Sequence, residues 1–324
     1  MESNRRTVLV LGAGASAPYG FPVGQAVVRR AMMIDTPTER FLRWAGAGIE
    51  HINAFACAVR TASPPSIDYF LENRPEFAQV GKLLIANCLV PEETVQGLVA
   101  HEERRLWHHY LLDTIGWNAV RDALLVEALS VITFNYDRSF EAALACKIAA
   151  YTGKELRDVM TFVSRLPVVH VYGSLGTLDH NDQYYRPYGG DHDAASIALA
   201  AQGISIVRDG SYSTSLEKAQ EYLRRASEVV FLGHGYLPAN VQRLRLNDCC
   251  ADRYSRPDGE VLRELRVPNC AQLYGTAFGR TPSECTTLIA PQFQRVGGIT
   301  LGDSTEDVLG FLRNHTELVR PWRE

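Results

Sequence analysis

Asn135 and Asp137 stand two residues apart at the end of an apolar run, Ser130-Val131-Ile132-Thr133-Phe134. A neutral amide in that position can donate to and accept from ribose hydroxyls or a bound water. Asp137 can accept from ribose or from backbone amides. The plainer alternative is that the two residues cap a helix starting near Ser139. Position favours capping for Asp137 and leaves Asn135 balanced between the two roles. His170 lies in a second apolar run, Val168-Val169-His170-Val171-Tyr172, two residues before its end. It shares a face with Tyr172, because side chains alternate along a strand. A lone strand histidine is ordinarily a core residue with one hydrogen bond, whereas one facing a cleft can act as a general base. His234, between Gly233 and Gly235 after the run Val229-Val230-Phe231-Leu232, is the second candidate base or else an exposed turn residue. The tyrosines at 184, 185 and 188 either close over a bound ring, pin their loop, or make an oligomer contact.

The residues that would hold a ligand for this chemistry lie near the start. Thr7-Val8-Leu9-Val10-Leu11 runs into Gly12-Ala13-Gly14-Ala15-Ser16-Ala17-Pro18, followed by Tyr19-Gly20-Phe21-Pro22. A buried strand delivering its carboxyl end to small residues and spaced glycines is the arrangement that cradles a diphosphate. Gly12 permits the tight turn and Gly14 lets a backbone come close. Gly12, Gly14 and Ala17 fit the dinucleotide fingerprint, which alone is a weak signal. Pro18, Gly20, Pro22 and Gly24 break the long helix that a dehydrogenase continues from this motif. The expected local structure is therefore a small-residue turn and an ordered loop, with a helix starting only near Val23 or Gly24.

Four apolar strands, ending at Leu11, Phe134, Tyr172 and Leu232, run into polar or glycine-rich loops, and a parallel sheet brings such loops to one crevice. Between the first and second strands the chain is mostly helical, too long a stretch for a simple crossover. The alternation predicts an α/β fold, a Rossmann-like parallel sheet flanked by helices, with a helical insertion over about residues 35–125 in a single domain spanning 1–324. Further expectations are a helix after Asp35-Thr36-Pro37, another capped by Ser66, and a short strand at Val159–Val163. A last strand is expected at Gly298–Leu301, and a last helix at Ser304–His315 capped by Asp303 or Ser304.

Composition narrows the partners. Hydrophobic residues are 46% and charged residues 22% of 324, and net charge is −4, which argues against nucleic acid as the main partner. No apolar run reaches the length of a membrane span, and Met1–Arg6 leads straight into a strand without a signal peptide. The seven cysteines, at 57, 88, 146, 249, 250, 270 and 285, are odd in number and scattered, which suggests free thiols in the cytoplasm. No pair has zinc-knuckle spacing, so no metal site is expected.

With these residues assembled, the sequence resembles the sirtuin-like family, and more particularly the bacterial sirtuin-like domains of antiphage defence. Gly12–Ser16 with Gly20-Phe21-Pro22 looks like the family's NAD-binding loop. Ser66-Ile67-Asp68-Tyr69-Phe70 is similar to a segment common in the bacterial branch. Thr133-Phe134-Asn135-Tyr136-Asp137 resembles the family's asparagine–aspartate motif, His170–Gly176 its histidine–glycine segment, and Gly233–Tyr236 a glycine-rich strand end at the cofactor. The resemblance covers about residues 7–236. It implies NAD+ as substrate, cleaved between nicotinamide and ribose. Asn135 would orient the ribose or the attacking water, with His170 as general base. Gly12, Ala13, Gly14, Ala15, Ser16, Phe21, Pro22, Asp137, Tyr172, Gly173, Ser174, Gly233 and His234 would bind the dinucleotide. The zinc-binding cysteines of the deacetylases are missing, which favours plain hydrolysis over deacylation. The family histidine stands directly before the glycine, where this chain has Tyr172, so His170, His234 or neither serves as base. A toxic NADase needs restraint, so a homo-oligomer is expected, and by family analogy a separate defence partner such as an ATPase.

Two other readings compete. One is a non-catalytic module that binds NAD or a related nucleotide and changes assembly, favoured if His170 lies beyond reach of the ribose. The other is a dehydrogenase with Asp35 as its ribose-binding acid, against which the proline-broken loop and the Asn135–Asp137 motif both speak.

Overall fold

The computed structural model describes residues 6–98, 106–206, 210–247 and 271–315. Six strands carry the fold: β1 (Thr7–Leu11), β2 (Leu129–Thr133), β3 (Val168–His170), β4 (Glu228–Leu232), β5 (Gln272–Gly275) and β6 (Thr300–Leu301). They form one sheet in the order β3-β2-β1-β4-β5-β6, and every pairing is parallel. β1, β2 and β4 are buried along their whole length, which is why their sequences are continuous apolar runs rather than alternating ones. Strand order reverses between β1 and β4, the place in an open parallel sheet where a crevice forms at the carboxyl ends of the strands. Register makes the crevice level: Leu11 pairs with both Thr133 and Leu232.

The glycine-rich stretch is more helical than its prolines and glycines suggest. Ala13–Ser16 forms one turn, α1, and Ala17–Tyr19 a 3₁₀ turn that ends at Gly20 with φ +100°. Pro18 sits in the first turn of that 3₁₀ segment, where its missing N–H has no intrahelical acceptor to lose. The first regular helix, α2 (Gly24–Met32), begins where expected.

The described part of the interval between β1 and β2 is a series of helices joined by short turns. It includes α3 (Thr36–Trp44), capped by Asp35, then α4 (Ile49–Ala62), α5 (Ile67–Asn73), capped by Ser66, and α6 (Ala78–Leu89). α6 buries eight of its residues, including Leu83, Leu84 and Ile85 in succession, which makes it a central packing element rather than a surface helix. The same interval clasps the glycine loop. The Trp107 indole donates to the Ala15 carbonyl at 2.7 Å, and the His108 amide donates to the Tyr19 hydroxyl at 3.0 Å.

Three expectations need correction. Val159–Val163 is not a strand but part of a helix, Leu156–Val163, which buries Val159, Met160 and Val163 on one side; the spacing is helical although the residues are β-formers. β3 stops at His170, so Tyr172 lies in the turn beyond it. The last helix is Val308–Asn314, capped by Asp307 rather than by Asp303 or Ser304. Asp303 instead closes a turn, accepting from the Thr305 amide at 2.8 Å. Residues 1–5 of the expected N-terminal lead, Cys249, Cys250 and Cys270 fall outside the described residues. No helix among the described residues is long and apolar enough to cross a membrane.

Candidate active site

A cleft of about 870 Å³ lies at the carboxyl ends of the strands. Its lining brings together Gly12, Ala13 and Gly14 after β1, Asn135 after β2, Tyr172 after β3, and Gly233 and His234 after β4. A side chamber of about 80 Å³ shares Ala13, Gly24, Asp68, Phe134 and Asn135 with the cleft, and is walled further by Phe21, Pro22, Ile67 and Asp137. The expected site residues therefore fall into two groups. Those just named, with Ser16, line the cleft or the chamber. Ala15, His170, Gly173 and Ser174 line neither.

The glycines have a reason of their own. A Cβ on Gly12 would lie 2.7 Å from the Gly233 carbonyl oxygen, and one on Gly14 would lie 2.9 Å from the Gly233 Cα. The Gly12 amide donates to the Leu232 carbonyl at 3.0 Å, and the Gly14 amide to that of Gly233 at 2.9 Å. What approaches Gly14 closely is the β4 loop. Gly233 itself has φ +60°, and a Cβ there would meet the Ala15 nitrogen at 2.0 Å. The two loops are thus joined backbone to backbone and form one rigid floor.

Asn135 stands at the centre of that floor. Its Nδ2 donates to the Gly12 carbonyl and to Ser16 Oγ, both at 2.9 Å. The two bonds fix the plane of the amide, and no described donor engages its Oδ1. Ser16 Oγ also hydrogen-bonds the Asp137 carboxylate, which accepts from the Ser139 amide at 3.1 Å and hydroxyl at 2.5 Å as well. Both Ser139 donors meet Oδ1, which ties Asp137 to the first residue of the helix Ser139–Thr152, although the cap position itself is Arg138 and has no side-chain capping bond. Burial raises the Asp137 carboxyl pKa.

His170 is engaged on both sides. Nδ1 lies 2.9 Å from the Asn135 carbonyl oxygen, and Nε2 lies 2.7 Å from Glu141 Oε1. A carbonyl oxygen only accepts, so Nδ1 carries a proton, and Nε2 faces a carboxylate. Burial pushes the ring's pKa down, but the Glu141 charge and these hydrogen bonds outweigh it, and the net shift is upward. The favoured form is an imidazolium with no lone pair to offer. His234 is the opposite case. Nδ1 accepts from the Tyr236 amide at 3.0 Å, which places the proton on Nε2, a buried atom without a hydrogen-bond partner. The ring packs edge-on among Phe134, Phe231 and Tyr236, and burial lowers its pKa to about 4. Neither histidine presents a free base to the cleft in this arrangement.

The sequence reading missed several cleft residues. Asp68, on the first turn of α5, faces both cleft and chamber. Its carboxylate accepts from the Tyr136 hydroxyl, and burial raises its pKa. Its signal was the Ser66–Phe70 segment, noted without a role. Thr276–Arg280 follows β5 by the same strand-end logic, but β5 is short and half exposed, so its pattern is faint. Tyr172 closes the near end. Its hydroxyl accepts from Arg243 Nη1 at 2.7 Å and donates to Asn240 Oδ1 at 2.6 Å, while Arg243 pairs with Glu72 of α5. The tyrosines at 184, 185 and 188 stand away from the cleft. Their loop is pinned by Arg186, whose Nε donates to the Leu175 carbonyl at 2.9 Å and whose guanidinium, with that of Arg138, meets the buried Glu93. Asp35 is committed to capping α3, accepting from the Thr38 amide at 2.9 Å. Among the described residues no group of three or more His, Cys, Asp or Glu could hold a metal ion.

Compared with known proteins, the chain matches no family model and no curated sequence.

Proposed function

We propose that the chain is an NAD+ glycohydrolase that cleaves NAD+ to nicotinamide and ADP-ribose. The observation that carries this reading is the position of Asn135, where a dinucleotide-sized cleft meets a small, largely apolar side chamber. The cleft's volume falls within the range of ligand sites, and it lies at the strand-order reversal where open α/β sheets bind nucleotides. The chamber is too small for a nucleotide and suits a single flat ring. Phe21, Pro22, Ile67 and Phe134 supply its apolar faces. A pyridinium leaves as neutral nicotinamide, so its departure needs no general acid. The C1′–nitrogen bond breaks with its electron pair going to the ring, and water supplies the new C1′–oxygen bond. Asn135 Oδ1, held in one orientation through Nδ2, is suited to accept a hydrogen bond from that water or from a ribose hydroxyl. His170 acts through Asn135 as a positioning residue, holding its carbonyl from behind. The resemblance to bacterial sirtuin-like defence domains supports the same chemistry and adds a cytoplasmic antiphage role, with activity restrained until an oligomer or a partner such as an ATPase assembles.

A second reading, an NAD+-binding sensor without turnover, is favoured by one observation: the ring nitrogens of both histidines are unsuited to accept a proton. Incubation of purified protein with NAD+, alone and with the products of neighbouring genes, distinguishes the two. Hydrolysis releases nicotinamide and ADP-ribose, and Asn135→Ala lowers the rate on the order of 10²-fold or more. Saturable NAD+ binding with no nicotinamide from any assembly would leave the sensor.

A further inference from the structure

The NAD+-cleaving reading leaves a proton unaccounted for. When water attacks C1′, nicotinamide leaves without taking a proton, and ADP-ribose retains the water's oxygen and one hydrogen. One proton must therefore pass to the protein or to solvent. The groups on the cleft wall can be taken in turn. His234 Nδ1 already accepts from the Tyr236 amide. The Tyr172 hydroxyl lies between Arg243 and Asn240. Arg280 is a cation bonded to Glu284 and to the Gly235 carbonyl. Asp307 caps the last helix through Oδ1, accepting from the Gly310 amide at 2.8 Å, and lines the cleft but not the chamber that Asn135 borders. Asp68 remains. It sits with Asn135 at the junction of cleft and side chamber.

We propose that Asp68 is the general base of this site, accepting through its Oδ2 the proton of the water that Asn135 orients; the inference rests on the NAD+-hydrolase reading. The geometry suits the role. Tyr136, in the loop after β2, donates to Oδ1 and leaves the other oxygen without a described donor. Ser66 caps the helix, accepting from the Tyr69 amide at 3.1 Å, which fixes the turn that carries Asp68. The charged groups facing Asp68 are Glu72, one turn further along α5, and Arg243, from the helix Pro238–Arg243. Burial holds the carboxyl above its ordinary pKa, which makes the ionised form a better proton acceptor. The balance is closed: the C1′–nitrogen electron pair goes to nicotinamide, the water oxygen bonds C1′, and the water's proton passes to Asp68 and then to solvent.

The test compares wild-type protein with Asp68→Asn, Asp68→Ala and Asn135→Ala, reading nicotinamide release across pH and NAD+ affinity by calorimetry. Asp68→Asn keeps an oxygen for Tyr136 and is expected to lower kcat on the order of 10²-fold or more. NAD+ affinity should stay within about threefold, as expected for a group that acts on the attacking water rather than on the bound ground state. The acid limb of the rate profile should vanish, and added formate should restore part of the Asp68→Ala activity. An active wild type together with an Asp68→Asn protein of equal rate and unchanged pH profile overturns the assignment alone. Equal loss of binding and turnover in Asp68→Asn also overturns it, assigning Asp68 to holding substrate. A wild type that releases no nicotinamide in any assembly removes the hydrolase reading and this inference with it.

Discussion

The two strand ends that carry histidine solve burial in opposite ways. At the last residue of β3, His170 is surrounded by acceptors, the Asn135 carbonyl and the Glu141 carboxylate, and its charged form is favoured. After β4, His234 is surrounded by the edges of Phe134, Phe231 and Tyr236, and its neutral form is favoured. The same side chain, at the carboxyl ends of two strands of one sheet, is favoured as a cation in one setting and as a neutral ring in the other. Residue type therefore says little about which histidine could act as a base. What decides is whether the atoms around it accept hydrogen bonds or exclude charge. On the β2–β3 side, polar atoms are satisfied in a network that ends on Asn135. On the β4 side, the backbone is pressed against the glycine loop and the histidine is packed like a hydrocarbon.

The largest effect is expected from breaking the β4 side at its backbone. Gly233→Ala places a Cβ against the Ala15 nitrogen and asks an L-residue to adopt φ +60°. Overpacking against backbone and the left-handed conformation together should cost about 4 kcal/mol of folding stability. Urea unfolding midpoints measure it, and a loss below about 1 kcal/mol would mean that the two loops separate easily. Such a result would also free the Gly14 amide for a ligand.

How far these features were legible follows from their physical origin. β1, β2 and β4 could be read because fully buried parallel strands are continuous apolar runs. β5 and β6 are short and partly exposed, and their patterns fade accordingly. Asn135 and the glycine loop could be placed at one crevice because strand-end loops of a parallel sheet converge. Asp68 could not, because its position depends on how α5 packs across the chain onto Tyr136. The roles of His170 and His234 were equally hidden. Glu141 lies 29 residues before His170, and no local pattern announces that they meet.

A smaller effect, with a defined sign, is expected from acid on the β4 side. His234 has a folded pKa of about 4 against roughly 6.5 in an unfolded chain. Its contribution is fully present above 6.5 and is lost as pH falls towards 4, because the unfolded state takes up a proton that the folded state refuses. At roughly 1.4 kcal/mol per pH unit over that interval, the loss reaches about 3 kcal/mol. His234→Asn keeps an oxygen for the Tyr236 amide and should lack this slope. Stability curves of the two proteins at pH 6.5, 5.5 and 4.5 should separate, the variant falling less. Parallel curves would show that the ring is solvated and titrates normally.

The β3 side should respond with the opposite slope and a smaller amplitude. His170 has a folded pKa raised above its unfolded value. Its stabilisation is therefore complete below about 6.5 and disappears as pH rises through the folded pKa. Glu141→Gln removes the charge that holds the imidazolium and should cost about 2 kcal/mol at pH 6, the scale of a hydrogen bond to a charged group. The gap between wild type and variant should narrow as pH rises, whereas the gap caused by His234→Asn opens as pH falls. The ring's own titration, followed by the NMR shift of its Hε1 proton, gives the sharpest reading. It should lie above 6.5 in wild type and fall in Glu141→Gln, where burial is no longer opposed by a carboxylate. A wild-type value below 6.5 would return a lone pair to Nε2 at neutral pH. His170 would then regain a claim to the base role that its two acceptors now deny it.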